Sequence, residues 1–119
     1  MIYLEFKRRL ALDVSLDTRF KVLLTLGYAA NIGHKSLHEV TAAGAEPLDL
    51  ATTFAVDGDR MALRAQPVSW PASTITADGY VVFLPDYADL LMEHITFHRM
   101  RSSDGGAFDL SFGDYLLRL

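Results

Sequence analysis

Thr52-Thr53-Phe54-Ala55-Val56-Asp57-Gly58-Asp59-Arg60-Met61-Ala62-Leu63-Arg64-Ala65 is the stretch that decides the fold. Two short runs of strand character flank Asp57-Gly58-Asp59, and the Asp-Gly step supplies the positive φ angles that a tight hairpin turn demands. The same grammar continues downstream. Pro67 and Pro71 bracket Val68-Ser69-Trp70, which makes that piece an edge or connecting segment, because proline cannot donate to a ladder. Thr74 to Leu84 reads as a strand with Asp78-Gly79 as a bulge or bend inside it. Leu90 to Met100, Ala107 to Phe112 and Tyr115 to Leu119 follow. Between them lie Pro85-Asp86, Ser103-Asp104-Gly105-Gly106 and Gly113-Asp114, all of them turn chemistry. Short strands at this spacing predict a mainly β fold, a single antiparallel β-sandwich over residues 1–119, with Ig-like and jelly-roll strand orders both open.

Upstream of the hairpin the pattern changes. Residues 2–12 place Leu4, Phe6 and Leu10 among Glu5, Lys7, Arg8 and Arg9, an apolar return of three to four that predicts a short N-terminal amphipathic helix. Leu16-Asp17-Thr18 turns the chain. Phe20-Lys21-Val22-Leu23-Leu24-Thr25-Leu26 is almost continuously apolar, as in a strand buried on both faces, and Gly27 ends it. Residues 28–51 carry little periodicity and are punctuated by Asn31, Gly33, Gly44 and Pro47, so they read as a long loop with a helical turn near Ser36 to Val40. Loops of that length in a small domain tend to bind something, which makes this one the first candidate contact surface.

Composition limits the function classes. The chain has 119 residues, half of them hydrophobic, enough for one core and against disorder. Its formal charge of −4, with charges interspersed, supplies no basic stripe to follow a phosphate backbone, so no direct nucleic-acid contact is expected. Cysteine is absent, which removes disulfides, thiolate nucleophiles and zinc–thiolate sites. The charged opening, Glu5 to Arg9, is unlike a secretory signal, and no apolar run is long enough to span a bilayer, so no membrane partner is expected.

The chemistry-bearing residues fall into pairs rather than sets. His94 and His98 are four apart, a zinc spacing on a helix. In a strand, however, Met92, His94, Thr96 and His98 share one face and Leu91, Ile95 and Phe97 the other, with Glu93 the one breach. Two imidazoles two pleats apart do not share an ion without a third ligand, so a surface or interface pair is expected and no metal. His34 and His38 repeat the spacing inside the loop. Asp57-Gly58-Asp59 lacks the further oxygen ligands of a calcium loop, and Asp86 and Asp89 beside Tyr87 read as a solvated turn. No serine sits in a Gly-x-Ser-x-Gly elbow and no glycine loop joins a strand to a helix, so neither a catalytic set nor a cofactor site is expected. Trp70 is expected in the core, and Tyr28, Tyr80, Tyr87 and Tyr115 at core edges or contacts. The candidate protein-interface residues are accordingly Phe6, Tyr28, His34, His38, Tyr87, His94 and His98. Phe6 belongs among them if the helix docks on a neighbour: Phe6→Asp would then abolish assembly and spare the fold, whereas an unfolded variant would place Phe6 in the domain's own core.

The succession of segments resembles a family of small virion structural proteins of tailed bacteriophages. The resemblance is carried by Tyr3-x-x-Phe6-Lys7-x-x-Leu10, Lys21-Val22-x-Leu24, Trp70 followed by Ser73-Thr74-Ile75-Thr76-Ala77, Gly79-Tyr80-Val81-Val82-Phe83, Phe108-x-Leu110-x-Phe112 and the closing Leu116-Leu117-Arg118-Leu119. It covers the start and the second half of the chain; the middle departs from it, with Ala43-Gly44-Ala45 where the family carries a longer glycine-rich segment. The resemblance implies a non-enzymatic β-sandwich in the virion, made in the host bacterial cytoplasm. Its expected role is a capsid decoration or cement protein, in many copies or as a homo-oligomer, on the major capsid protein or other virion proteins. A tail or head–tail junction protein is the alternative. A carbohydrate-binding surface module is a further alternative, which would need Trp70, Tyr80 and Tyr87 as an exposed row.

Overall fold

A computed structural model describes residues 1–118 of the chain; Leu119, the end of the last expected strand, lies outside the described residues. The fold is mainly β and antiparallel, with one short N-terminal helix, the architecture of a β-sandwich. Helix α1 spans Leu4–Leu12 and strand β1 spans Phe20–Thr25. Strands β2 (Leu48–Leu50), β3 (Thr52–Asp57), β4 (Arg60–Ala65), β5 (Val68–Trp70) and β6 (Thr76–Leu84) follow. The last three are β7 (Leu90–Ser102), β8 (Phe108–Leu110) and β9 (Leu117–Arg118).

Four strands in the order β2-β1-β6-β7 make the principal sheet, and the order β3-β4-β9 makes a second. β5 pairs only with β8, as its bracketing prolines require. β1 lies inside the principal sheet with β6 on one side and β2 on the other, which explains its near-continuous apolar run. Its one charged residue, Lys21, stands across from Asp49 with the charges 3.6 Å apart.

The core is one continuous cluster that draws on every sheet and the helix. Trp70 is 6 % exposed, sits edge-on to Phe108 and donates its indole N–H to the Glu46 carbonyl at 2.8 Å. Tyr80 packs edge-on to Phe112 and tilted against Phe97, closing the principal sheet over the segment that carries β8. Its hydroxyl is pushed up to about 12 by burial.

Three expectations are corrected. The helix begins at Leu4 rather than residue 2, because Ile2 bridges to Glu93 and the Tyr3 N–H donates to the Met92 carbonyl, drawing the first residues into an extended cover over β7. The 28–51 segment holds the expected helical turn at Leu37–Glu39 but also β2, a strand too short to announce itself by alternation. And the face assignment along β7 breaks at Met92. Val82 pairs with Glu93 and Phe83 with Leu91, so Met92 is the extra residue of a β-bulge. Leu91 therefore leaves the face of Ile95 for that of His94, Glu93 stays on the face of Tyr80 and Ile95 where alternation places it, and Met92 is fully buried.

A second irregularity falls where Asp78-Gly79 predicts one. The register jumps between Ala77 and Gly79, and the strand opposite runs through several unmatched residues before Arg101. The Asp78 carboxylate accepts the Gly27 N–H at 2.8 Å and the Thr25 hydroxyl at 3.2 Å, anchoring the end of β1. Thr25 is otherwise fully buried, so this bond satisfies it.

Candidate interaction surfaces

Of the seven candidate interface residues, the fold brings three together. The Tyr28 ring stacks on His34 with centroids 5.6 Å apart and meets His94 edge-on at 5.2 Å. Its hydroxyl bonds Nδ1 of His34 at 2.7 Å and the Tyr3 hydroxyl at 2.8 Å. His34 Nε2 in turn stands 3.8 Å from Glu39. Glu39 accepts the N–H groups of Lys35 and Ser36, and those bonds hold its carboxyl below the usual carboxylate range.

The result is a polar chain Glu39–His34–Tyr28–Tyr3 from the loop to the N-terminus. Acid, imidazole and hydroxyl in series can relay a proton, but the far end, Tyr3, is fully buried. Burial raises both tyrosine hydroxyls, so they stay protonated. The chain therefore works as a clamp. It ties the first residues and the 28–39 segment to β7, where the N-terminal ammonium donates to the His94 carbonyl at 2.9 Å. Burial, aided by that ammonium, holds His94 below the usual imidazole value.

The other four are dispersed. Phe6 is 1 % exposed and belongs to the core, which corrects its assignment to an interface: its side chain is the buried stripe of α1, which packs on β7. Tyr87 is half-buried, its hydroxyl accepting the Ser15 N–H at 2.9 Å. His38 is exposed and bonded to its neighbour Ser36, and His98 is exposed on the far half of β7. Among the described residues no group of three or more histidine, aspartate or glutamate side chains could hold a metal ion, and no helix is long and apolar enough to cross a membrane.

Sequence reasoning missed an exposed apolar strip on the hairpin that decided the fold. Phe54 pairs with Leu63 and Val56 with Met61, all four on one face of the β3–β4 ribbon. Leu63 is buried, but Phe54, Val56 and Met61 are 45, 73 and 43 % exposed. The signal was available in the alternation Thr52, Phe54, Val56 read across the turn; that the ribbon projects beyond the core was not. The turn itself differs from expectation in one detail: Gly58 has φ +63° and neither flanking aspartate is positive, the type II′ pattern with glycine first.

A second missed residue is Glu93. It floors a cleft of about 320 Å³ lined also by Ile2, Arg60, Tyr115 and Arg118. Its Oε2 is buried with no hydrogen-bond partner among the described residues, and burial pushes the carboxyl up to about 7 against the pull of the N-terminal ammonium. Arg118 is already engaged, 3.2 Å from Asp57 and over the Tyr115 ring.

The chain finds no match among protein-family models, curated proteins or solved structures.

Proposed function

We propose that this protein works by binding other protein surfaces, as a multi-copy structural component of a tailed-bacteriophage particle whose principal partner is the major capsid protein. The observation that carries the binding reading is the strip Phe54, Val56 and Met61, three large apolar side chains held out to solvent on one face of the β3–β4 hairpin. Apolar side chains gathered on one projecting face favour an occupant more than scattered single exposures do. The particle and its capsid shell come from the family resemblance of the helix, Trp70 and terminal segments described above.

Sugar binding has less support. Its aromatic row requires exposed rings, whereas Trp70 and Tyr80 are buried and Tyr87 is half-buried with its hydroxyl engaged. Density-gradient separation of purified particles, followed by mass spectrometry of full, empty and tail-less fractions, tests the assignment. The protein is expected to stay with DNA-filled, tail-less heads at a copy number near that of the capsid protein. A handful of copies leaving with the tails would replace the capsid role by a tail or junction role. Absence from every particle would refute the virion assignment.

A further inference from the structure

β3 is a long free edge. Strand order ends on it. The outer edge of β7 is covered over residues 90–94 by Met1 to Tyr3 and by the Ser36 bridge to Leu90, and its remainder carries the basic side chains of Arg99 and Arg101. The other outer strands, β2, β5, β8 and β9, have three described residues or fewer. Soluble proteins usually blunt such an edge with lysine, proline or a bulge. Residues 52–56 of β3 carry none of these and no charge at all.

The direction of its free amides follows from the register. A two-residue turn closes on the Asp57–Arg60 pair, which is hydrogen-bonded, and alternation makes Ala55–Ala62 and Thr53–Arg64 the next bonded pairs. The N–H and C=O groups of Thr52, Phe54 and Val56 therefore point away from β4, and the side chains of these residues share the apolar face. We propose that this edge is a homodimer interface, in which β3 pairs antiparallel with β3 of a second copy about a two-fold axis at Ala55, an inference that rests on the protein-binding reading above.

That register is self-complementary. Phe54 lies opposite the partner's Val56 and the reverse, an aromatic–β-branched pair made twice, and the outward amides of both residues are the ones that bond. Thr53 faces the partner's Asp57, so no like charges oppose each other, and each Asp57 keeps its own Arg118. The two ribbons become one continuous sheet with Phe54, Val56 and Met61 of both copies along one face. The strip is small: Met61 lies a strand further from the axis, and the partly exposed Phe54 and Val56 of both copies offer well below the ~1,200 Å² of a stable interface. The dimer is accordingly weak and dissociates on dilution, as suits a contact completed within a larger assembly.

Sedimentation velocity over a concentration series tests the pairing, with Val56→Lys as the disrupting variant, since a side chain 73 % exposed is replaced without touching the core. The wild-type sedimentation coefficient should rise with concentration, and that of Val56→Lys should stay monomeric with an unchanged melting temperature. The absence of cysteine permits a register test. Ala55 meets its own copy across the axis as a non-hydrogen-bonded pair, about 4.5 Å between Cα atoms and within disulfide reach. Ala55→Cys should therefore form a disulfide-linked dimer under oxidised glutathione and Thr53→Cys should not. A wild-type chain monomeric at every concentration, or cross-linking at 53 in place of 55, would overturn the pairing. A dimer from a protein absent from all particles would refute only the virion role, and a particle-bound protein that never dimerises would refute only the pairing.

Discussion

Replacing Gly79 by alanine inserts one methyl where the principal sheet has no room for it. An ideal Cβ there falls inside 3.0 Å of the Ile95 carbonyl oxygen and stands 3.3 Å from both Thr25 Oγ1 and Thr96 Cα. Two of these three neighbours are main chain of β7, so no flexible side chain can swing aside, and the third hydroxyl is tied to Asp78. The strand must move at the point where its register already jumps. Overpacking of this kind costs about 1–3 kcal/mol, and the upper half of that range applies because backbone has to give. The loss of unfolded-chain freedom on going from glycine to alanine returns about 0.4–1 kcal/mol. A net destabilisation of about 2 kcal/mol, at about 4 °C per kcal/mol for a domain of this size, lowers the melting temperature by about 8 °C. Gly106→Ala is the matched control, since its backbone is not in the positive-φ region and no atom lies within 4 Å of the added carbon. Differential scanning calorimetry of the two variants beside the wild type gives the answer. Equal melting temperatures for Gly79→Ala and Gly106→Ala would refute the close approach of β6 and β7.

Phe6→Asp buries an uncompensated carboxylate in the core and costs more than about 4 kcal/mol, so circular dichroism should show an unfolded chain; a folded variant would return Phe6 to the surface. Asp78→Ala strips the partner from the Thr25 hydroxyl and the Gly27 N–H, and chemical denaturation should report a loss of about 1–2 kcal/mol. The Glu93 carboxyl titrates near 7 in the fold against an ordinary value of 4.5, so the native state binds the extra proton and stability falls as pH rises from about 4.5 to about 7. Glu93→Gln should remove that slope and be more stable than wild type at pH 8 by about 1–2 kcal/mol, discounted for the partial solvation of the cleft. Taking the difference between the two chains cancels His94, whose depressed value acts with the opposite sign over the same range. A denaturation midpoint for Glu93→Gln that matches wild type at both pH 5 and pH 8 would sink the buried-carboxylate reading.

Local chemistry alone determined much of this protein. The hairpin at Gly58, the apolar β1, the bulge at Asp78-Gly79, the proline-bracketed β5 and the helical turn near Leu37 all follow from interactions within a few residues, where turn preference and side-chain alternation speak directly. The burial of Trp70 was legible for the same reason, as its size makes exposure costly. Only the tertiary structure decided which faces are covered. Alternation placed Glu93 beside Ile95 as a lone polar breach, but the residues that close a cleft over it come from more than twenty positions away, and the pattern does not show them. The clamp of Tyr3, Tyr28, His34 and His94 joins segments up to ninety residues apart, and no spacing in the chain announces it. Phe6 and Val56 are both apolar residues on amphipathic elements, yet one is sealed in the core and the other stands in solvent. A side chain's pattern names the face it occupies; what lies against that face is set by chain returning from elsewhere, and sequence order does not encode that distance.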